Sequence, residues 1–271
     1  VCEPAYVSRA VTEAALLIVL SPAKRLDFTP ADPALPGSDR RFLEDTDSLA
    51  KTARLQTKAD LRRLMGISDD LATLNVERFK AFEPESTGGV QAAFAFAGDV
   101  YEGLQARELD AKALDFAQAH VRILSGFYGL LRPLDRIQPY RLEMGTRLKT
   151  QRGNSLYDFW GDRISKQLNA DAADQADPTL VNLASQEYFG AVDAKALNLP
   201  VVTPQFREEK NGETRIVSFF AKKARGAMTR FAIDERVERV EDLKAFDRDG
   251  YRFDKAASTG SDWIFIRSRN S

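Results

Sequence analysis

The apolar run Leu16–Leu20, LLIVL, stops abruptly at Ser21-Pro22. A run that short, closed by turn-formers, predicts a buried strand, and it commits the chain to a sheet inside the molecule. Residues 121–124 and 179–183 read the same way, and 92–97 is strand-like. Helical periodicity covers 39–54, 58–65, 69–82 and 219–236, and the Pro-rich segment 30–36 reads as a loop. Residues 200–206 and 214–219, joined around Asn211-Gly212, predict a hairpin, and strands at 251–253 and 263–267 close the sheet. Strands and helices interleave without a regular βαβ rhythm. The pattern therefore predicts an α+β fold, a single mixed domain over 16–271 around one central sheet.

Several function classes drop out early. Neither GxGxxG nor GxxxxGK[ST] occurs, which removes the commonest nucleotide-binding loops. One cysteine, Cys2, and one histidine, His120, cannot build the usual Cys/His metal cages, so neither a metal nor a cofactor is expected. The apolar stretch 14–20 is too short to span a bilayer and lacks a signal-peptide flank, so a cytoplasmic protein without a membrane partner is expected. Residues 1–15 carry little pattern and are expected to be an N-terminal extension, disordered or the product of an upstream start.

Charge is balanced overall, 39 Lys and Arg against 40 Asp and Glu, but it is not evenly spread. Between Val121 and Arg152 seven cations, including Arg132 and Arg141, face two acids, and Gly126, Gly129, Pro133 and Pro139 interrupt the chain there. Residues 124–145 thus read as a site loop. A second basic stretch, from Arg215 to Arg230, holds Lys222, Lys223 and Arg225 and no acid. Two such concentrations predict one positively charged cleft whose usual partner is phosphate.

On the helix at 219–236, Phe220, Ala224, Ala227, Met228 and Phe231 share one arc, flanked by Lys223 and Arg230. Gly226 lies among these cations. Two readings are open: a glycine that lets a phosphate backbone approach, or one that permits tight packing. Leu61–Ala72 has the layout of a helix-hairpin-helix, whose turn at Gly66, Ile67 and Ser68 would present N–H groups to a DNA phosphate. An ordinary helical hairpin is the alternative. Lys24, Arg141, Asn182 and Glu187, with Ser21, Ser185 and Glu143, could supply a catalytic pocket, and Asp99 is either an N-cap or an acid. The pairings of Phe116 with His120 and of Tyr157 with Trp160 read as core or rim contacts.

Taken together, Ser21-Pro22-Ala23-Lys24, Gly98-Asp99-Val100-Tyr101, LSGFYGLLRPLD from Leu124, QPYRLEMG from Gln138, NLAS from Asn182 and FFAKKARGAMTRF from Phe219 resemble the YaaA family of bacterial peroxide-stress proteins. The resemblance runs from about Leu16 to the neighbourhood of Arg267. It implies a cytoplasmic role in limiting peroxide damage, a mixed fold with a positive cleft and a helix-hairpin-helix, and binding to duplex or branched DNA without sequence choice. It implies no established reaction, so an enzyme acting on a nucleotide or other phosphorylated small molecule stays open as the alternative. Neither oligomeric state nor preferred DNA structure follows from these residues.

Overall fold

The computed structural model describes residues 16–30, 35–86, 88–175 and 178–268, so the extension expected at 1–15 and part of the loop at 30–36 lie outside the described residues. Along the chain come β1 (Leu16–Leu20), α1 (Leu43–Arg54), α2 (Lys58–Met65), α3 (Asp69–Ala81), α4 (Asp99–Leu104), α5 (Ala111–His120), β2 (Val121–Ser125) and β3 (Gly129–Leu131). Then follow α6 (Arg163–Asp171), β4 (Thr179–Leu183), β5 (Val201–Lys210), β6 (Glu213–Arg215), α7 (Ser218–Asp234), β7 (Arg252–Asp254) and β8 (Asp262–Ser268). Short helical turns and two-residue strands fill the connections.

The main sheet has the order β7-β8-β5-β4-β1-β2-β3, with β6 paired to β5. Its centre is parallel: β2, β1, β4, β5 and β8 run one way. Only β3, β6 and β7 are antiparallel to their neighbours. This corrects the α+β expectation to a mixed α/β sheet that is mostly parallel. The physical reason is already in the runs, because β1, β2 and β4 are buried at every residue, as parallel strands covered on both faces must be. What hid it is the connection from β1 to β2, which carries five of the helices above and leaves no regular rhythm to read. The β5–β6 hairpin forms around the expected turn, although its second strand ends at Arg215 and residues from Ser218 on are helical: Asn211 and Gly212 sit at φ 55° and 81°, the left-handed pair that a two-residue turn needs.

Two local expectations fail. The run 92–97 is not one strand, since Ala92–Ala95 coils into a short helix and only Phe96-Ala97 is extended, pairing with Arg25-Leu26. Alanine's helix propensity prevails where the walls already bury it. The stretch 124–145, expected to be a site loop, is not exposed chain either, although Glu143 near its end pairs with Lys24. Phe127, Tyr128, Leu130, Leu131, Ile137 and Tyr140 are all buried. Their irregular backbone is satisfied internally, with Ser125 Oγ accepting from the amides of Phe127 (3.2 Å) and Tyr128 (2.9 Å). Trp160 Nε1 donates to the Gly126 carbonyl at 3.0 Å. Buried chain without regular structure needs such partners, and that need explains the turn-formers better than solvent exposure does.

Two cations of the basic stretch 121–152 are likewise engaged. Arg122 on β2 is buried and pairs with Asp171 of α6, which also takes Arg41. Burial pushes the Asp171 carboxyl upward, yet the two guanidiniums hold it below its usual value of 3.8. Arg132 donates to Asp135 at 3.0 Å and to the Asp39 carbonyl at 3.1 Å. Arg132 is therefore a brace between loops, not a free phosphate contact. His120 is a core contact: its ring stacks on Phe116, its Nδ1 lies 3.0 Å from the Leu16 carbonyl, and burial lowers its pKa, keeping it neutral.

Candidate functional site: a cleft at the ends of two parallel strands

Strand β1 connects towards β2, whereas its other neighbour β4 connects towards β5 on the opposite side. Two adjacent parallel strands whose chains leave in opposite directions open a crevice at their carboxyl ends, and ligands of open α/β sheets bind there. Ser21 directly follows β1 and Ser185 lies just beyond β4. Ser21 Oγ accepts from the Ser185 amide at 2.8 Å, and the two hydroxyls lie 3.3 Å apart. Above them is a cavity of about 540 Å³ lined by Ser21 to Arg25, Ala97 to Glu102, Ser185, Glu187, Tyr188, Lys222 and Arg225.

Helix α7 reaches this cavity because it crosses α4 without side chains in the way. A Cβ built on Gly226 would stand 2.8 Å from the Leu104 nitrogen and closer still to the Val100 carbonyl oxygen. One on Gly103 would stand 2.7 Å from the Ala227 nitrogen. Gly226 is buried, so the reading in which it admits a phosphate is corrected: backbone of α4 already fills the space a phosphate would need. The close crossing instead brings Lys222 and Arg225 over the carboxyl ends of the strands. Tyr101 of α4 completes the wall, donating to the Ser21 carbonyl at 3.1 Å. Burial and the nearby Tyr188 keep its phenol protonated, well above its ordinary pKa.

The enzyme candidates are partly united. Lys24 and Arg141 both approach Glu143 Oε1, at 3.4 and 3.0 Å. Lys24 and Glu187 both line the cavity, and Glu187 Oε1 accepts from the Gly145 amide at 3.0 Å. Asn182 is the exception: it is buried beneath, its Oδ1 accepting from the Ala184 amide at 3.0 Å. It shapes the turn after β4 and does not reach the cleft. Glu143 Oε2 is buried without a hydrogen-bond partner among the described residues. Tyr101, Tyr188, Arg25 and Glu102 were not singled out as site residues from the sequence. Tyr101 stands in the Gly98-Asp99-Val100-Tyr101 motif that carried the family resemblance, and that placement was the available signal.

On α7, three of the four expected cations have acid partners. Lys222 lies 3.8 Å from Asp99, Lys223 3.9 Å from Asp249, and Arg230 donates to both carboxylate oxygens of Asp234, at 2.8 and 3.1 Å. Arg225 stands apart. It is partly buried, has no acid beside it among the described residues, and burial alone lowers its pKa.

The helical hairpin forms with the expected ends. Gly66 closes α2 at φ 61°, and Ser68 caps α3, its Oγ accepting from the Leu71 amide. The amides of Gly66 and Ile67 both donate to the Arg62 carbonyl, and Ile67 is buried. Those two amides are thus spent on closing the helix, which corrects their expected use on a phosphate. Asp69, at the start of α3, is clamped by Lys58 (3.0 Å) and Arg62 (2.8 Å), which hold its carboxyl below its ordinary value.

A mostly parallel sheet with a hydroxyl-lined crevice of mixed charge where its strand order reverses defines a mixed α/β protein. The model of the family described as peroxide stress protein YaaA matches residues 16–257. The chain is 62% identical over 252 residues to a UPF0246 protein of Caulobacter vibrioides, covering 93% of this chain and 99% of that one. It is 61% identical over 252 residues to a UPF0246 protein of Phenylobacterium zucineum (93% and 95%) and 54% identical over 254 residues to one of Ruegeria pomeroyi (93% and 98%). The chain belongs to the YaaA family of peroxide stress proteins. Among the described residues no helix is long and apolar enough to cross a membrane.

Proposed function

We propose that this protein serves the peroxide response by holding duplex or branched DNA through its phosphate backbone, without choosing among sequences. The observation that carries this reading is the hairpin of α2 and α3. Its turn is exposed at Gly66 and Ser68, and Lys58, Arg62 and Arg63 surround it with side chains 47%, 58% and 76% exposed. Clamping of Asp69 removes part of the repulsion an acid at this place exerts on a phosphate. Amides at a helix start and exposed cations, here exchanging their surface acid partners for a phosphate, bind without reading base edges, which is why no sequence preference follows.

Mobility shifts on several unrelated duplexes and one branched substrate test it. Comparable affinities that strengthen as salt falls are expected. Gly66→Val, strained at a left-handed position, is expected to weaken every substrate alike while the variant stays folded. Absence of binding at low salt, or dependence on a single sequence, would overturn the reading.

A further inference from the structure

We propose that the switch-point cleft is a site for a small phosphate monoester of about mononucleotide size, with its phosphate on Arg225. This goes beyond the DNA reading and does not depend on it, since the two involve different surfaces. A guanidinium cannot shed its proton, so one drawn out of water without an acid is costly. Such a group is stabilised when an anion occupies the space before it, and here that space is the cavity between β1 and β4. Lys24 and Lys222 flank it on long exposed stems, each held only loosely by an acid, at 3.4 and 3.8 Å, and both can turn towards the same anion. The Ser185 hydroxyl, which accepts from Ser21 Oγ, adds a donor at the floor.

The acids in the same cavity define the remainder of the ligand. Asp99, Glu102 and Glu187 line it and repel a second unshielded anion. They accept hydrogen bonds well from sugar hydroxyls, as acids at such crevices do. A volume of about 540 Å³ matches one nucleotide or sugar phosphate and is too small for a duplex.

Titration calorimetry with AMP, CMP, ribose 5-phosphate, inorganic phosphate and, as the phosphate-free probe, adenosine tests the assignment. Saturable binding of the esters is expected, with adenosine much weaker. Arg225→Gln is expected to weaken the esters by roughly tenfold to a hundredfold, the loss of one charge-assisted contact. Its thermal midpoint in the absence of ligand should hold or rise, because a partly buried cation with no acid beside it is removed. Should Arg225→Gln fail to fold, Lys222→Ala, at an exposed position, is expected to lower ester affinity several-fold. Failure of all the esters to bind at millimolar concentration, equal binding of adenosine and AMP, or wild-type ester affinity in either variant overturns the proposal. None of these readouts involves the hairpin, so the DNA reading can fail separately.

Discussion

A single methyl group added at Gly226 is expected to destabilise the protein by about 2 kcal/mol. Two effects oppose each other. Alanine gains about 1 kcal/mol of helix propensity over glycine in mid-helix. Against this, its Cβ would lie within van der Waals distance of three α4 backbone atoms, at Val100 and Leu104, which cannot rotate away. Overpacking into rigid backbone costs up to about 3 kcal/mol and sometimes more, so it outweighs the propensity gain. A urea titration should show a lower midpoint with an unchanged slope. Gly66→Ala is the control: nothing lies within 4 Å of its Cβ, and only the left-handed φ of 61° opposes it, worth about 1–2 kcal/mol. Equal stability of Gly226→Ala and wild type would mean that α7 does not cross α4 as closely as described.

Asp171→Ala is expected to cost about 3–5 kcal/mol, because it strands Arg122 inside the sheet region and takes a partner from Arg41. Removing one side of a buried pair leaves a charge with neither water nor counter-ion. The pH dependence of the wild type follows from the same group. Since the folded carboxyl titrates below 3.8, its stabilisation is complete at neutral pH, begins to fade as pH approaches 3.8 and is lost as pH falls through the folded value. In the variant that acid-induced component should vanish. Denaturant titrations at neutral pH and in acid measure both effects, and a loss under about 1 kcal/mol at neutral pH would contradict the buried pairing.

Much of the architecture was legible because its signals are local. Leu16–Leu20 and Thr179–Leu183 announce themselves by uninterrupted apolar runs, α2 and α3 by their periodicity and caps, and the hairpin at Asn211-Gly212 by its turn residues. Strand direction was not local. Whether β1 lies parallel to β2 depends on a connection through several helices, and no period records it. Residues 124–145 misled for a related reason: glycines, prolines and arginines mark irregular chain, but irregular chain can be buried when Ser125 and Trp160 satisfy its backbone.

The candidate site was half visible. Lys24 and Glu187 follow strand ends, where a sheet protein places its site residues, and both reach the cleft. Arg225 and Lys222 were marked by charge, although charge alone could not separate the unpaired Arg225 from Arg230, tied to Asp234 four residues on. Gly226 shows the limit most plainly. One glycine among cations suits a phosphate or a helix crossing equally well, and only the position of Val100 decides between them.

If DNA is held at the hairpin and not along α7, as we propose, the salt dependence of duplex binding shows it most directly. Each phosphate contact contributes about 0.9 to the slope of log affinity against log salt. Replacing Lys58, Arg62 and Arg63 together by alanine should flatten the slope by roughly two to three units, whereas replacing Lys222, Lys223 and Arg230 should leave it nearly unchanged. A folded hairpin variant with the wild-type slope, or flattening confined to the α7 variant, would contradict the account.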